Sequence, residues 1–447
     1  MGNLLGSPVT EKETHVGVTP DGLEYGVSSM QGWRVHMEDA HICEPNLYAY
    51  SSSSSGDTTA AVKLALPGHS LFAVFDGHGG TFAAEYAGVN LCRVLSAQPK
   101  FLQYAKFAQG RAVKEASLTD ESERVQYVRS GLDLLEGALR DAFVDIDCEI
   151  LMATRGNPVP DANAPYHDVA AVDDAAVVAT TATDNSATAV AAAAPKKKIP
   201  TPNCDEDAGT TAVVVMVTPH WIVCANAGDS RSVMAKHGHK VVPLSYDHKP
   251  DDEEEERRIR AGGGYVAGGR VEGDLAVSRG YGDYRFKLPS TVLMGTKNDI
   301  PHDSDDGSAA SEEQKARSGA IRPDDQKVSP IPDIIVQNRS AEQDEFIIVA
   351  CDGIWDVQTN YECVKVVAEL FAEGESNIGL ACEETLDLCL SMGSKDNMTT
   401  LLVKLPAQKV GDGGGVTARR QKRDAVQQAV SAPTTAQNPN DDLAHCT

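Results

Sequence analysis

Three apolar runs in this chain each close on an aspartate beside glycine, and this repeat limits the fold more than any other feature. Leu71–Phe75 runs into Asp76-Gly77-His78-Gly79-Gly80, and Phe346–Cys351 runs into Asp352-Gly353. Trp221–Ala225 reaches Asp229 through Asn226-Ala227-Gly228. Short runs rich in Val, Ile and Phe, closed by Gly, read as buried strands. A carboxylate at the end of such a strand is held at the rim of a core. Several of them converging would concentrate negative charge, whose natural counter-ion is a hard divalent cation such as Mg²⁺ or Mn²⁺.

A fourth segment fits the same edge. Asp396-Asn397-Met398 leads into Leu401–Leu405, so Asp396 stands at a strand entrance where Asp76 and Asp352 stand at exits. In an antiparallel pair an exit and an entrance share one edge, which would bring the three carboxylates together. Taken alone, Asp396-Asn397 reads as a turn, and Asp229 as a residue capping its own backbone. Around Gly32–His41, Arg34 offers a planar donor fork suited to phosphate oxygens. Strand alternation there would put Arg34, His36 and Glu38 on one face and Asp39 on the other.

Further strands are expected at 212–217, 232–235, 345–351 and 400–405, and helices at 81–97, 127–153, 251–261, 361–372 and 377–392. In the second helix Leu132, Leu135, Leu139, Phe143, Ile146 and Ile150 make one apolar face. Strands grouped in runs with helices gathered elsewhere point to antiparallel sheets with helices packed outside. Globular patterning covers about 22–405, preceded by an N-terminal segment, 1–21. Low-complexity stretches near 155–207 and 291–327, and a shorter one at Ser51–Ser55, read as exposed insertions, and 406–447 as a disordered polar tail.

The formal charge of −25 and pI near 4.8 argue against a nucleic-acid partner. No apolar stretch nears the roughly 20 residues of a membrane helix, and no basic-then-apolar secretory signal opens the chain. Ten cysteines without a C-x-x-C pair read as reduced and intracellular. Arg419-Arg420-Gln421-Lys422-Arg423 reads as a solvated cluster or a nuclear signal.

The ordered set of these motifs resembles the protein phosphatase 2C family of metal-dependent Ser/Thr phosphatases. The matching stretches are Gly32–His41, Phe75–Gly80, Gly209–Ala212, Ala227–Arg231, Asp247–Pro250, Leu275–Arg279, Gly282-Asp283, Ala350–Val357 and Asp396–Met398. The resemblance implies an α+β, four-layer α/β/β/α sandwich of two packed, mainly antiparallel sheets. It implies hydrolysis of phosphoserine and phosphothreonine by a water bridging two Mn²⁺ or Mg²⁺ ions, without a phosphoenzyme. Asp76 would bridge the ions, the Gly77 carbonyl and Glu38 would serve one, and Asp352 and Asp396 the other. Asp39 would support them from behind, and Asp229 with Asp352 would hold a weaker third ion. Arg34 would grip the phosphate and His78 act as general acid. Phosphoprotein substrates, a monomer and a cytoplasmic location follow as expectations.

A catalytically weak phosphoprotein-binding relative is the alternative, disfavoured because every matching carboxylate is present. A calcineurin-like phosphoesterase lacks its Gly-Asn-His-Glu run, and a P-loop NTPase lacks its glycine-rich loop. Between Asp247 and Gly282, Asp251–Glu256 reads as a helix start, where carboxylates suit the macrodipole, rather than as a selector of basic substrates. Met1-Gly2-Asn3-Leu4-Leu5-Gly6-Ser7 resembles an N-myristoylation start, with Gly6 where Ser or Thr is preferred. One such chain anchors only reversibly.

Overall fold

The computed structural model describes residues 4–51, 62–157, 207–287 and 322–431. Gly2, the serine run beyond Ser51, and most of both long insertions lie outside the described residues. In chain order the strands are β1 (Leu4–Val18), β2 (Glu24–Arg34), β3 (Ala40–Glu44), β4 (Leu47–Ser51), β5 (Val62–Leu66), β6 (Ser70–Phe75), β7 (Gly77–His78), β8 (Gly209–Thr210) and β9 (Ala212–Val217). They continue with β10 (Trp221–Ala227), β11 (Arg231–Lys236), β12 (Lys240–Pro243), β13 (Val266–Ala267), β14 (Arg270–Val271), β15 (Tyr281–Gly282), β16 (Asp333–Asn338), β17 (Asp344–Ala350) and β18 (Met398–Lys404). The helices are α1 (Phe82–Ser96), α2 (Pro99–Ser117), α3 (Glu121–Thr154), α4 (Glu253–Ala261), α5 (Asp352–Trp355), α6 (Asn360–Ala372), α7 (Ile378–Ser391) and α8 (Gly415–Ser431).

Two sheets form the centre, ordered β1-β2-β18-β17-β11-β12 and β16-β10-β9-β6-β3. Their inward side chains interdigitate: Val27, Val349, Leu401 and Val403 from the first meet Phe72, Val74, Val213 and Val215 from the second. The runs β6, β9 and β10 are buried at every position, because helices cover the face that the other sheet does not. On that outer face Leu71, Phe75 and Met216 pack against Phe101, Leu139 and Phe143 of α2 and α3. Phe346, Ile348 and Leu402 pack likewise against Val367, Phe371 and Leu386 of α6 and α7. The layers are therefore α/β/β/α, as the resemblance implied.

Three local expectations are corrected. The globular part begins before Gly22: β1 pairs with β2 from Val18 opposite Glu24 to Leu4 opposite Arg34. Its polar residues suit an edge strand with much of its surface in water, so no apolar run announces it. Strand alternation also stops at Arg34, where β2 ends. The Asn397 side chain holds the next residues instead, donating to Gln31 O at 2.8 Å and His36 O at 2.9 Å while accepting from Glu38 N at 2.9 Å. The tail is not disordered at its start. Helix α8 seats Val416 in the core, and its Arg419 and Arg420 pair with Glu373 of the α6 end and Glu384 of α7. The cluster read as solvated thus neutralises carboxylates on neighbouring helices. Helix α2 was not expected at all.

Candidate metal centre

Each carboxylate of the site is delivered by a strand end, so the two sheets fix their separation. β6 ends at Phe75 and presents Asp76. Its carbonyl accepts from Thr211 N and Thr210 Oγ1, both at 3.0 Å, which locks it to the start of β9. Across the sandwich, β17 pairs with β18 with Ala350 opposite Thr400, placing Asp352 and Asp396 at one edge. Asp352 N donates to Asp76 Oδ2 at 3.3 Å, linking the two sheets at the site.

Two glycines permit this closeness. A Cβ at Gly77 would lie 2.2 Å from the Glu38 carbonyl oxygen, and one at Gly353 would lie 2.1 Å from that of Asn397. Both contacts are backbone, so no side chain could yield. Gly77 therefore presses against the segment carrying Glu38, and Gly353 against the one carrying Asp396.

Ligand atoms of Asp76, Asp229 and Asp352 lie within 4.8 Å of one another, and so do those of Asp39, Asp76 and Cys351. Burial first, then the neighbouring carboxylates, push Asp76 and Asp352 well above the usual carboxylate range. Asp352 Oδ1 and Asp39 Oδ1 are buried without a hydrogen-bond partner. Mutually repelling, partly unsatisfied carboxylate oxygens in one cleft are what a divalent cation satisfies, since it supplies charge that burial withholds. The donor set is all hard oxygen apart from the Cys351 sulfur, whose thiol burial keeps protonated. The residues fit a magnesium-like ion.

The remaining expected residues take distinct places. Asp396 lines the same cleft, of about 380 Å³, but its carboxylate is engaged by Arg34 and Asn397 N rather than gathered into the tight trio. Asp229 takes that place, 3% exposed and paired with Lys249 Nζ at 2.5 Å. Glu38 accepts from Gly80 N at 2.8 Å, turning toward the glycine loop. Asp39 accepts from Thr399 Oγ1 at 2.7 Å, and burial pushes its carboxyl up to about 7. Arg34 and His78 both line the cleft.

Asp283 was quoted only as part of a motif, yet it is the partner of His78. Its carboxylate meets His78 Nε2 at 2.8 and 3.0 Å and is itself 2% exposed. Burial disfavours the imidazolium, but Asp283 outweighs it and raises the His78 pKa. Asp283 adopts a left-handed φ of +55°, which aspartate tolerates better than most residues. Behind it, Asp147 of α3 accepts from Gly282 N at 2.8 Å and from Lys287 Nζ at 2.8 and 2.9 Å. No motif spacing links Asp147 to Lys287, 140 residues away; an Asp inside the apolar face of α3 was the available signal.

The family model of protein phosphatase 2C matches residues 23–139 and 163–398. Protein phosphatase 2C homolog 2 of Aspergillus flavus is 32% identical over 91% of this chain and 68% of its own length. Protein phosphatase ppm-1.A of Caenorhabditis elegans is 33% identical over 91% of this chain and 64% of its own length. The crystal structure of serine-threonine phosphatase 2C from Toxoplasma gondii shares the fold, with a TM-score of 0.53, 18% identity, and coverage of 91% of this chain and 100% of that one. A match over most of the chain, with the acidic cleft at the meeting edge of the two sheets, places it: the chain belongs to the protein phosphatase 2C family.

Proposed function

We propose that this protein phosphatase hydrolyses phosphoserine and phosphothreonine in proteins, by direct attack of water on phosphorus at the edge of the sandwich. The observation that carries this reading is one cleft joining the Asp76, Asp229 and Asp352 trio to Arg34 and the His78–Asp283 pair. Asp76, Asp352 and Asp396, with Glu38 and the Gly77 carbonyl, would hold two Mg²⁺ or Mn²⁺ ions, and Asp229 would serve a weaker third. When bound, such ions acidify water in their shell and offset phosphate charge.

The chain's own groups supply the rest. Arg34 engages Asp396 through one terminal nitrogen, leaving other donors of its fork for phosphate oxygens. His78, held through Nε2 by Asp283, keeps its other ring nitrogen for the reaction. As the ester P–O bond breaks and the water oxygen joins phosphorus, the departing serine or threonine oxygen takes a proton from His78. Such donation contributes roughly 10²–10⁴-fold when the leaving alkoxide is basic. Asp39, tied to Thr399, would steady the ligands from behind. A phosphoprotein-binding relative without catalysis would have no need of mutually repelling carboxylates in a buried cleft, so the enzymatic reading is preferred.

The test is phosphopeptide hydrolysis with Mn²⁺ titrated into chelator-treated protein, beside Asp76→Asn and Asp352→Asn variants. Saturable activation, nearly abolished by either substitution while the far-UV spectrum is kept, is expected. Activity that survives chelation, or near-normal turnover in either variant, overturns the reading. The same reading carries a monomeric, cytoplasmic enzyme. Mass spectrometry of the N-terminal peptide tests acylation at Gly2. Among the described residues no helix is long and apolar enough to cross a membrane.

A further inference from the structure

His78 and its partner Asp283 are brought together by a small sheet ordered β15-β8-β7, in which Gly209 of β8 lies opposite both His78 and Gly282. Asp283 follows directly on β15. Its carboxylate reaches His78 across Gly209, where a Cβ would lie 2.2 Å from Asp283 Oδ2. That reach has a backbone condition. Gly282 and Asp283 are left-handed in succession, with φ of +77° and +55°. A residue with a side chain keeps such a conformation only where its surroundings fix it.

What fixes it lies outside the cleft. Asp147 and Lys287 form a buried ion pair, and neither residue lines the acidic cleft. Asp147 Oδ1 accepts from Gly282 N at 2.8 Å, and the Asp147 carbonyl accepts from Tyr284 Oη at 2.5 Å. Lys287 Nζ donates to Gly280 O at 3.0 Å as well as to Asp147. The pair therefore holds the segment at residues 280, 282, 284 and 287. Asp283 stands in their midst and sends its side chain to His78. Rotating the peptide before Gly282 would swing Asp283 and break the bond to Asp147. Helix α3 supplies Asp147 beside the buried Phe143, Ile146 and Ile150, so the anchor is set in the core. Apolar residues of similar volume often serve stability as well as a buried ion pair does. They would offer Gly282 N no acceptor.

We propose that the Asp147–Lys287 pair is a positioning element for the acid step. By accepting from Gly282 N it sets the turn that aims Asp283, and Asp283 aims His78 at the departing serine or threonine oxygen. This rests on His78 being the acid in the phosphatase reading. Neither Asp147 nor Lys287 meets the substrate; both act through Asp283.

The test compares two double variants of the full chain with side chains of similar volume, Asp147→Asn/Lys287→Met and Asp147→Leu/Lys287→Met. Both remove the buried charges, and only the first keeps an acceptor for Gly282 N. Turnover of a phosphoserine peptide is divided by turnover of p-nitrophenyl phosphate, whose leaving group needs no proton, with Mn²⁺ saturating. The first variant should keep the native ratio. The second should lower it on the order of tenfold, since misplacing a reacting group by about 1 Å costs up to roughly 10²-fold and proton donation supplies roughly 10²–10⁴-fold. A merely structural role would lower both substrates alike, through loss of folded enzyme, and leave the ratio untouched. A native ratio in the second variant, or an equal fall in both variants, overturns the proposal. His78→Ala, measured beside them, separates this failure from that of the acid reading. Selective loss in His78→Ala with a native ratio in the second variant defeats the positioning role alone. Equal loss on both substrates in His78→Ala withdraws the acid and the proposal together. Should the second variant not fold, Asp147→Glu decides, because it keeps the charge but displaces the acceptor: a lowered ratio supports the positioning role, and a native ratio refutes it.

Discussion

Replacing Lys287 by methionine should destabilise the fold by about 3 kcal/mol, and the size of that loss follows from how Asp147 is buried. Both side chains are 2% exposed, and the Lys287 ammonium makes three bonds: two to the Asp147 carboxylate and one to Gly280 O at 3.0 Å. Methionine refills most of the volume of the aliphatic stem, so the cavity contribution is small. What remains is a buried carboxylate without its cation, which costs roughly 3–5 kcal/mol when one partner of a buried pair is removed. The lower end applies here. Burial already raises the Asp147 pKa against the pull of Lys287, so protonation relieves part of the cost once the ammonium is gone. The deficit should therefore shrink as pH falls, since a carboxyl raised in the folded state stabilises it at low pH and loses that effect as pH rises. Urea unfolding followed by far-UV circular dichroism measures the change. The Asp147→Asn/Lys287→Met double variant should recover much of it, because a neutral amide keeps an acceptor for Gly282 N and leaves no charge to desolvate. A loss under about 1 kcal/mol in the single variant, or a double variant no more stable than the single one, refutes this account of the pair.

Asp283→Asn and His78→Ala should each slow an alkyl phosphopeptide, the latter by roughly 10²–10⁴-fold, while barely affecting p-nitrophenyl phosphate, whose leaving group needs no proton; equal losses on both substrates would remove His78 from the acid role. Glu255 of α4 is buried, which opposes its charge, yet Arg279 and Arg258 lower its pKa from 4.5 to about 2. That stabilisation, on the order of 3 kcal/mol, is present above pH 4.5 and is lost as pH falls toward about 2. Glu255→Gln should therefore melt lower at neutral pH and show a shallower acid dependence; parallel curves for the two proteins would contradict it. Val416→Asp should undock α8, seen as faster proteolysis after Pro406, with phosphatase turnover kept; an unchanged cleavage rate would show that the buried valine does not hold the helix.

Core strands were legible where burial on both faces leaves an unbroken apolar run, as in β9 and β10; β2, inside the first sheet but rich in Ser and Gly, was not. The edge strand β1, and β16 with its half-buried pattern, were not, since water on much of their surface removes that signal. Asp76, Asp229 and Asp352 could be picked out because each follows an apolar run and abuts glycine. Asp147 and Lys287 could not, because they lie 140 residues apart in the chain and meet only where layers pack. The acidic stretch at Asp251–Glu256 does begin a helix, and its buried member, Glu255, owes its role to two arginines.

Residue order along the chain determined the apolar core strands, where they end and the kinds of donor at the site, because periodicity and glycine act over a few residues; the four layers were implied only by the family resemblance. Which carboxylates share one cleft was decided only in three dimensions. There Asp229 joins Asp76 and Asp352 while Asp396 turns to Arg34, because Coulomb repulsion and hydrogen bonding act across space and take no account of sequence separation.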